Sequence, residues 1–506
     1  MSRPNILLIT SDHMRHDALA CNADPHVPHG LGGAIRTPNL DRLAASGVTF
    51  RNSFTPNPIC VPARASITTG SYPHHCTGRK TNTGAIRPGQ PRLAAHFAAC
   101  GYATTAIGKL HYVPYSPPGQ PPLLHGFQKA ELCEEGRMIH QFDPLGQRRG
   151  VEAYHDYVAD SGWKGYMRAH GIGNNDVRSA PSPLPEALHE ESWVAERTVA
   201  ALREHRRQQP DQPFLLWSSF SKPHPPYDPP RPWDQLYDPR ALPPPLGDWE
   251  DESLMAGRDP ELAARRTAYG WQHLSREGVQ VCRAYYGAMV TFQDAMIGRI
   301  LDHLDEAGLA DNTIVIYTAD HGDLLGDFGR FFKSCFYDGS VKIPFIIRAP
   351  GAIPEGNASR GQLAGLQDIL PTVCALAGCP LEVPVDGMDL SPVLREAAAP
   401  GRPCYVAQTG ESPEQKYMLR TAEWKYLYSE RGGVEELYDV SRPSYELSNL
   451  AADPAFSRVR LDLRERLIAW CRDQGDDAMI PGGELAVSPL PEEKPFSAGR
   501  LGWRKY

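Results

Sequence analysis

The sequence predicts an α/β protein: a large, mostly parallel sheet sandwiched by helices, with a smaller antiparallel sheet and a packed helix toward the C-terminus. Three observations predict it. Short apolar runs of strand-forming residues alternate with helical segments through residue 376. Ionisable side chains stand directly after four of those runs, where open sheets of this type place their ligands. Beyond about residue 395 the pattern changes to segments of period two, the signature of half-buried antiparallel strands.

The elements follow in order. Asn5-Ile-Leu-Leu-Ile-Thr10 is a short run of the type buried on both faces, and it ends at Ser11-Asp12. Thr37 as cap, Pro38 at the first turn, Leu40, Leu43 and Ala44 at helical spacing and Gly47 as a stop predict the first helix. Proline near the start and glycine at the end predict a helix over 62–70, which sets Cys60 at a helix N-terminus. The alternation continues with helix 93–100 and strand 103–107, helix 193–206 and strand 214–219, and helix 279–304 and strand 313–318. Strand 345–348 and helix 367–376 close the series. Alternating segments at 417–428 and 436–440, then an amphipathic helix over 458–472, predict the smaller unit. We divide the chain into a catalytic domain, 1–395, and a C-terminal α+β subdomain, 396–506. Its final stretch reads as an extended tail whose Trp503 and Tyr506 dock elsewhere. Prolines, 48 in all, cluster at 116–122 and 223–245, which read as long, stiffened surface loops.

Bulk properties exclude several classes of function. A net charge of −8 in 506 residues gives no basic field for nucleic acid. Apolar runs of about five residues fall far short of the ~20 that cross a bilayer. The first strand starts at residue 5, so export by a signal of this chain's own is not the expectation. Eleven cysteines, an odd number without C-x-x-C pairs, indicate neither a disulfide framework nor a zinc knuckle. A cytoplasmic protein is the expectation.

The chemistry gathers at the strand ends: Asp12, then Lys109 and His111, then His224, then Asp320 and His321. Carboxylates and an imidazole ending two buried strands supply the oxygen and nitrogen ligands a divalent cation needs. Cys60 sits in Cys60-Val61-Pro62-Ala63-Arg64, followed by Ala-Ser-Ile-Thr-Thr-Gly70. A cysteine at a helix start is ordinarily a small packed residue, so the pattern around it carries the argument.

That pattern, Cys-x-Pro-x-Arg, resembles the sulfatase family of the alkaline-phosphatase superfamily. The resemblance extends through Pro4-Asn-Ile-Leu-Leu-Ile, Thr37-Pro-Asn-Leu-Asp-Arg-Leu, Gly108-Lys-Leu-His111, Lys222-Pro-His-Pro-Pro, Thr318-Ala-Asp-His-Gly, Asp368-Ile-Leu-Pro-Thr and Glu436-Leu-Tyr-Asp. It implies that a formylglycine-generating enzyme oxidises Cys60 to formylglycine. The hydrated aldehyde then acts as nucleophile beside one divalent metal, Ca2+ or Mn2+, held by Asp12, residue 60, Asp320 and His321. By the same resemblance Lys109 and Lys333 hold the sulfate, Arg64 fixes the nucleophile, and His224 protonates the departing alkoxide. His111 takes the proton that releases sulfate. Asn82 is a weaker match to a substrate contact.

Two departures stand out. Ala63 replaces the serine of many members, as in the choline-sulfatase and phosphonate-hydrolase branches. His13 stands where many have a second aspartate. It either joins the ligands, favouring Mn2+, or supports them by hydrogen bonding, the reading the sequence favours. A sulfate monoester hydrolase near the arylsulfatase and choline-sulfatase branches is the leading expectation, acting on a small-molecule or saccharide ester. A phosphonate monoester or phosphodiester hydrolase is the alternative, and the Lys109 and His111 pair argues against it. An inactive metal- and anion-binding relative is a third reading. A docked tail would suit a homo-oligomer whose subunits close one another's sites.

Overall fold

The structure is a computed structural model that describes residues 3–247, 251–354, 356 and 358–490. Its main sheet contains β1 (Asn5–Asp12), β2 (Val48–Phe54), β3 (Ala103–Gly108), β4 (Lys129–Leu132), β5 (Phe214–Pro223), β6 (Thr313–Ala319), β7 (Phe345–Arg348) and β8 (Ala358–Gly365). The spatial order is β4-β3-β5-β1-β6-β7-β2-β8. All neighbours are parallel except around β7, which runs against both β6 and β2. β1 lies between β5 and β6, with Leu8 opposite Trp217 on one side and Ile316 on the other. Ile6 to Ile9 are at most 1% exposed, so the continuous apolar run is explained by helices covering both faces.

Those helices include α1 (Pro38–Ala45), α2 (Cys60–Thr69), α3 (Leu93–Ala99), α4 (Glu190–Gln208), α5 (Arg276–Glu306) and α6 (Ile369–Leu376). Gly70 ends α2 at a φ of 70°, where a side chain would be strained. Thr37 occupies the cap position of α1, but its hydroxyl accepts from the Ala20 N–H instead. The first amides of α1 are satisfied from α5: the Asn39 and Leu40 N–H groups donate to the Asp294 carboxylate.

A second sheet, antiparallel in the order β12-β11-β10-β9, consists of β9 (Tyr405–Thr409), β10 (Lys416–Arg420), β11 (Trp424–Ser429) and β12 (Val434–Asp439). The predicted segment 417–428 is thus two strands and a turn. Helix α7 (Ser457–Asp473) packs Leu463, Leu467 and Cys471 against Tyr417, Leu419 and Tyr426 of this sheet.

One reading requires correction. Of the proline-rich stretch 223–245 predicted as surface loop, residues 223–230 are buried. Proline has no N–H, so the segment can enter the interior with fewer donors to satisfy. Lys222 also folds back onto Asp228 at 2.7 Å. Trp503 and Tyr506, expected to dock, lie outside the described residues. No helix among those described is long and apolar enough to cross a membrane.

Candidate active site

Four adjacent parallel strands, β3-β5-β1-β6, deliver their carboxyl ends to one place. β1 ends at Asp12, β3 leads into Lys109, β5 into His224 and β6 into Asp320 and His321. Asp12, Lys109, His224, Asp320 and His321 are all fully buried. Gly108 makes one of these placements feasible. Its φ is 93°, and a Cβ there would lie 1.9 Å from the Ser219 carbonyl oxygen of β5.

Cys60 is the first residue of α2, whose N-terminal amides favour negative charge at that position. Its Sγ lies 3.2 Å from His321 Nε2, 3.1 Å from Lys333 Nζ and 3.8 Å from Asp12 Oδ1. Burial and Asp12 push the thiol up, but Lys333 and His321 outweigh them and bring it below its usual range. Asn82 accepts from the Val61 N–H at 3.1 Å, capping α2 beside the nucleophile position.

Ligand atoms of Asp12, His13, Cys60 and His321 all lie within 4.8 Å of one another, and all four residues are buried. Each imidazole is oriented by its other nitrogen. His13 Nδ1 contacts Asp323 Oδ2 at 2.9 Å, and His321 Nδ1 contacts the Gly322 carbonyl at 3.0 Å. A ring that donates from Nδ1 keeps its Nε2 lone pair free, and both Nε2 atoms face Asp12 and Sγ. The donor set therefore fits a divalent ion. The Lys333 ammonium lies 2.5 Å from His13 Nε2 and takes up that lone pair.

Arg64 spans the carboxylates. It donates to Asp320 Oδ2 at 2.9 Å and Asp12 Oδ2 at 3.4 Å, as well as to the Lys109 carbonyl and Ser219 Oγ. It fixes the acids around residue 60. Asp320 adds Oδ1 3.6 Å from His321 Nε2. Burial alone would raise Asp12, yet Lys109, His224 and Arg64 hold it well below the usual carboxylate range.

Lys109 pairs with Asp12 and, at 2.6 Å, with Glu135. Glu135 also pairs with Arg137 and lies 3.4 Å from His224 Nδ1. His224 directs Nδ1 to the Pro225 carbonyl at 2.6 Å and leaves Nε2 buried without a partner. Burial pulls its pKa well down, with Glu135 opposing. His111 is buried with Nδ1 unpartnered, and its backbone N–H is held by Glu134 at 2.9 Å. Burial, Arg137 and Lys109 keep it neutral.

The structure thus joins Asp12, His13, Cys60, Arg64, Lys109, His224, Asp320, His321 and Lys333 through direct contacts. His111 and Asn82 attach through Glu134 and the start of α2 respectively. Sequence reasoning missed Glu135 and left Asp323 unassigned. Asp323 stood in the quoted Asp320-His-Gly-Asp run. Glu135 follows a short polar strand that gave no apolar signal.

A family profile described as Sulfatase matches residues 4–379. The chain belongs to the sulfatase family. A second profile, N-sulphoglucosamine sulphohydrolase, C-terminal, matches residues 326–473 of this sulfatase. An arylsulfatase of Clostridium perfringens is 30% identical, over 96% of this chain and 97% of its own. A choline-sulfatase of Rhizobium meliloti is 28% identical, over 89% of this chain and 83% of its own. A phosphonate monoester hydrolase structure from Agrobacterium radiobacter superposes with a TM-score of 0.75. That match covers 93% of this chain and 96% of the other at 24% identity, which establishes the common fold. The protein is accordingly a sulfuric ester hydrolase.

Proposed function

We propose that this sulfatase hydrolyses a sulfate monoester to alcohol and inorganic sulfate, using formylglycine made from Cys60 and one divalent metal ion. The observation that carries the reading is the position of residue 60. It starts a buried helix, within 4.8 Å of the Asp12, His13 and His321 ligand atoms, with Lys333 at 3.1 Å. The thiol Sγ stands where the hydrated aldehyde would present its hydroxyl groups.

Asp12, His13, Asp320 and His321 would hold the metal with residue 60. Two imidazoles in that set support a transition ion such as Mn2+ over Ca2+. His13 Nε2 lies among the ligand atoms of Asp12, Cys60 and His321 and already meets the Lys333 ammonium, which supports His13 as a ligand that a metal would take from Lys333, against the purely supporting role the sequence favoured. A bound divalent ion supplies Lewis acidity, lowering the pKa of a hydroxyl at residue 60. Lys109 and Lys333 neutralise charge on the sulfuryl oxygens as the bond to the alcohol breaks. His224 carries a proton at Nε2 to the departing oxygen, the bound ester's negative charge offsetting the burial that otherwise keeps this ring neutral. His111, with Nδ1 free, accepts the proton whose loss from residue 60 releases sulfate. The names of the relatives support small aryl and alkyl esters as substrates, and saccharide sulfates belong to the same proposal. Cysteine usage supports a cytoplasmic location, which fractionation of the source cells tests.

The decisive experiment is peptide mass spectrometry of residue 60 after co-expression with the maturing enzyme, alongside hydrolysis of matched aryl sulfate and phosphonate esters. We expect an aldehyde at position 60 and sulfate turnover that disappears in Cys60→Ala. An unmodified thiol with no turnover overturns the proposal in favour of an inactive relative. Phosphonate turnover exceeding sulfate turnover moves it to the alternative branch.

A further inference from the structure

The segment Lys222-Pro-His-Pro-Pro226 carries His224 into the site, and its lysine has no role in the chemistry above. Lys222 is fully buried. Its backbone is pinned on both sides: the N–H donates to Glu191 Oε1 at 3.2 Å, and the carbonyl accepts from Gln293 Nε2 at 2.6 Å. Gln293 also accepts from Ser11 Oγ at 2.5 Å, one residue before Asp12. The end of β5 is thereby tied to the end of β1, and the lysine side chain leaves from a fixed point.

Beyond that point the backbone has few donors with which to hold its own shape. Pro223, Pro225 and Pro226 have no N–H, which leaves His224 the one backbone donor in four residues. The Lys222 ammonium supplies donors from outside the turn. It reaches the His224 carbonyl at 3.3 Å and the Pro226 carbonyl at 3.1 Å. Between those two stands the Pro225 carbonyl, which accepts from His224 Nδ1 at 2.6 Å and so sets the direction of the ring. One ammonium thus holds the carbonyls on either side of the one that orients the imidazole.

The ammonium is itself held from the other side. Asp228 Oδ1 lies 2.7 Å away and Glu190 Oε1 3.3 Å away. Asp228 is fixed in turn by Arg168 at 2.9 Å and His170 at 3.2 Å. Neutralising the charge needs only the carboxylates, and apolar residues would fill the same space without the cost of desolvating ions. The two carbonyl bonds are what a buried lysine adds here.

We propose that Lys222 is the positioning residue of His224: it fixes the turn so that Nε2 meets the departing oxygen. Lys222 acts through His224 and not on the ester, and the proposal rests on the role of His224 as proton donor. A positioned acid contributes only within hydrogen-bond reach of the oxygen it protonates, and a displacement of about 1 Å can cost roughly 10²-fold in rate.

The test compares wild type, Lys222→Met, His224→Ala and the double variant, each matured and metal-loaded, on an alkyl sulfate and a nitrophenyl sulfate. We expect kcat of Lys222→Met to fall by about tenfold or more on the alkyl ester and by less than about threefold on the nitrophenyl ester, with KM within about twofold of wild type for both. The double variant should be no slower than His224→Ala on the alkyl ester, because both changes act through one proton transfer. Equal losses on the two esters, an unchanged alkyl rate, or a further loss of about tenfold in the double variant overturns the inference. His224→Ala separates this inference from the reading beneath it. If His224→Ala discriminates between the esters and Lys222→Met does not, Lys222 is merely structural and the role of His224 stands; if His224→Ala slows both esters equally, both fail. Should Lys222→Met not fold by circular dichroism, Lys222→Met combined with Asp228→Asn, which removes the buried pair as a unit, takes its place with the same outcomes.

Discussion

Asp323→Asn isolates the role of His13 with a change of one atom. In the structure Asp323 Oδ1 accepts from the Leu325 N–H at 2.8 Å and the Phe332 N–H at 2.9 Å, while Oδ2 takes His13 Nδ1 at 2.9 Å. Asparagine keeps both backbone bonds only if its oxygen replaces Oδ1, which puts its NH2 group against His13. Flipping the amide would break two buried bonds, at about 1–3 kcal/mol for each orphaned donor. The NH2 group therefore faces Nδ1, which must become an acceptor, and the ring proton moves to Nε2. That removes the lone pair directed at the metal position. Loss of such an orienting partner lowers metal affinity roughly 10–100-fold, or about 1.4–2.7 kcal/mol.

The assay is calorimetric titration of Mn2+ into chelator-stripped protein, with circular dichroism as the control for folding. His13→Ala should show a comparable loss. The double variant should be no worse than His13→Ala, because both changes remove one interaction. Affinity within twofold of wild type in a folded Asp323→Asn protein would refute the reasoning and return His13 to a purely supporting role.

Other perturbations test other parts of the structure. His224→Ala should slow an alkyl sulfate by about 10²–10⁴-fold and a nitrophenyl sulfate much less, because only the poor leaving group needs the proton; equal losses count against the assignment. Gly108→Ala should abolish soluble, folded protein, since the added Cβ meets the Ser219 oxygen at 1.9 Å on a backbone with φ of 93°. Normal yield and Tm would refute that strain. Asp294 is raised to about 6 by burial, against about 3.9 unfolded. A raised folded pKa makes its contribution fully present below about pH 4 and lost as pH climbs through about 6, some 3 kcal/mol in all. Urea midpoints of Asp294→Asn should therefore fall less steeply than wild type between pH 4 and 6, and parallel curves would contradict the shift.

What the sequence made legible depended on burial on both faces. β1, β3, β5 and β6 are enclosed by helices, so their residues are largely apolar, and the ionisable residues that follow them marked the sheet's edge and the site together, although Lys222 before His224 turns away to Asp228 and Glu190. β4 and β8 are the two edge strands, and neither obeys that constraint. Lys-Ala-Glu-Leu and Ala-Ser-Arg-Gly-Gln-Leu-Ala-Gly carry exposed or half-buried Lys129, Glu131, Ser359 and Gln362, and both were missed, as was β2 inside the sheet, where Arg51 and Asn52 interrupt the apolar run. Glu135 was lost for the same reason, since it follows β4. Its charge looked like any solvated glutamate, yet Lys109 after β3 and Arg137 two residues on enclose it. The electrostatic balance of the site is thus the least legible part. Lys109 reads from sequence as a free cation waiting for sulfate, but it is shared between Asp12 and Glu135, and in the proposed role it would have to be drawn from Glu135 by the substrate. Under that role the Glu135 carboxylate would disfavour esters with a second negative charge on that side of the sulfate.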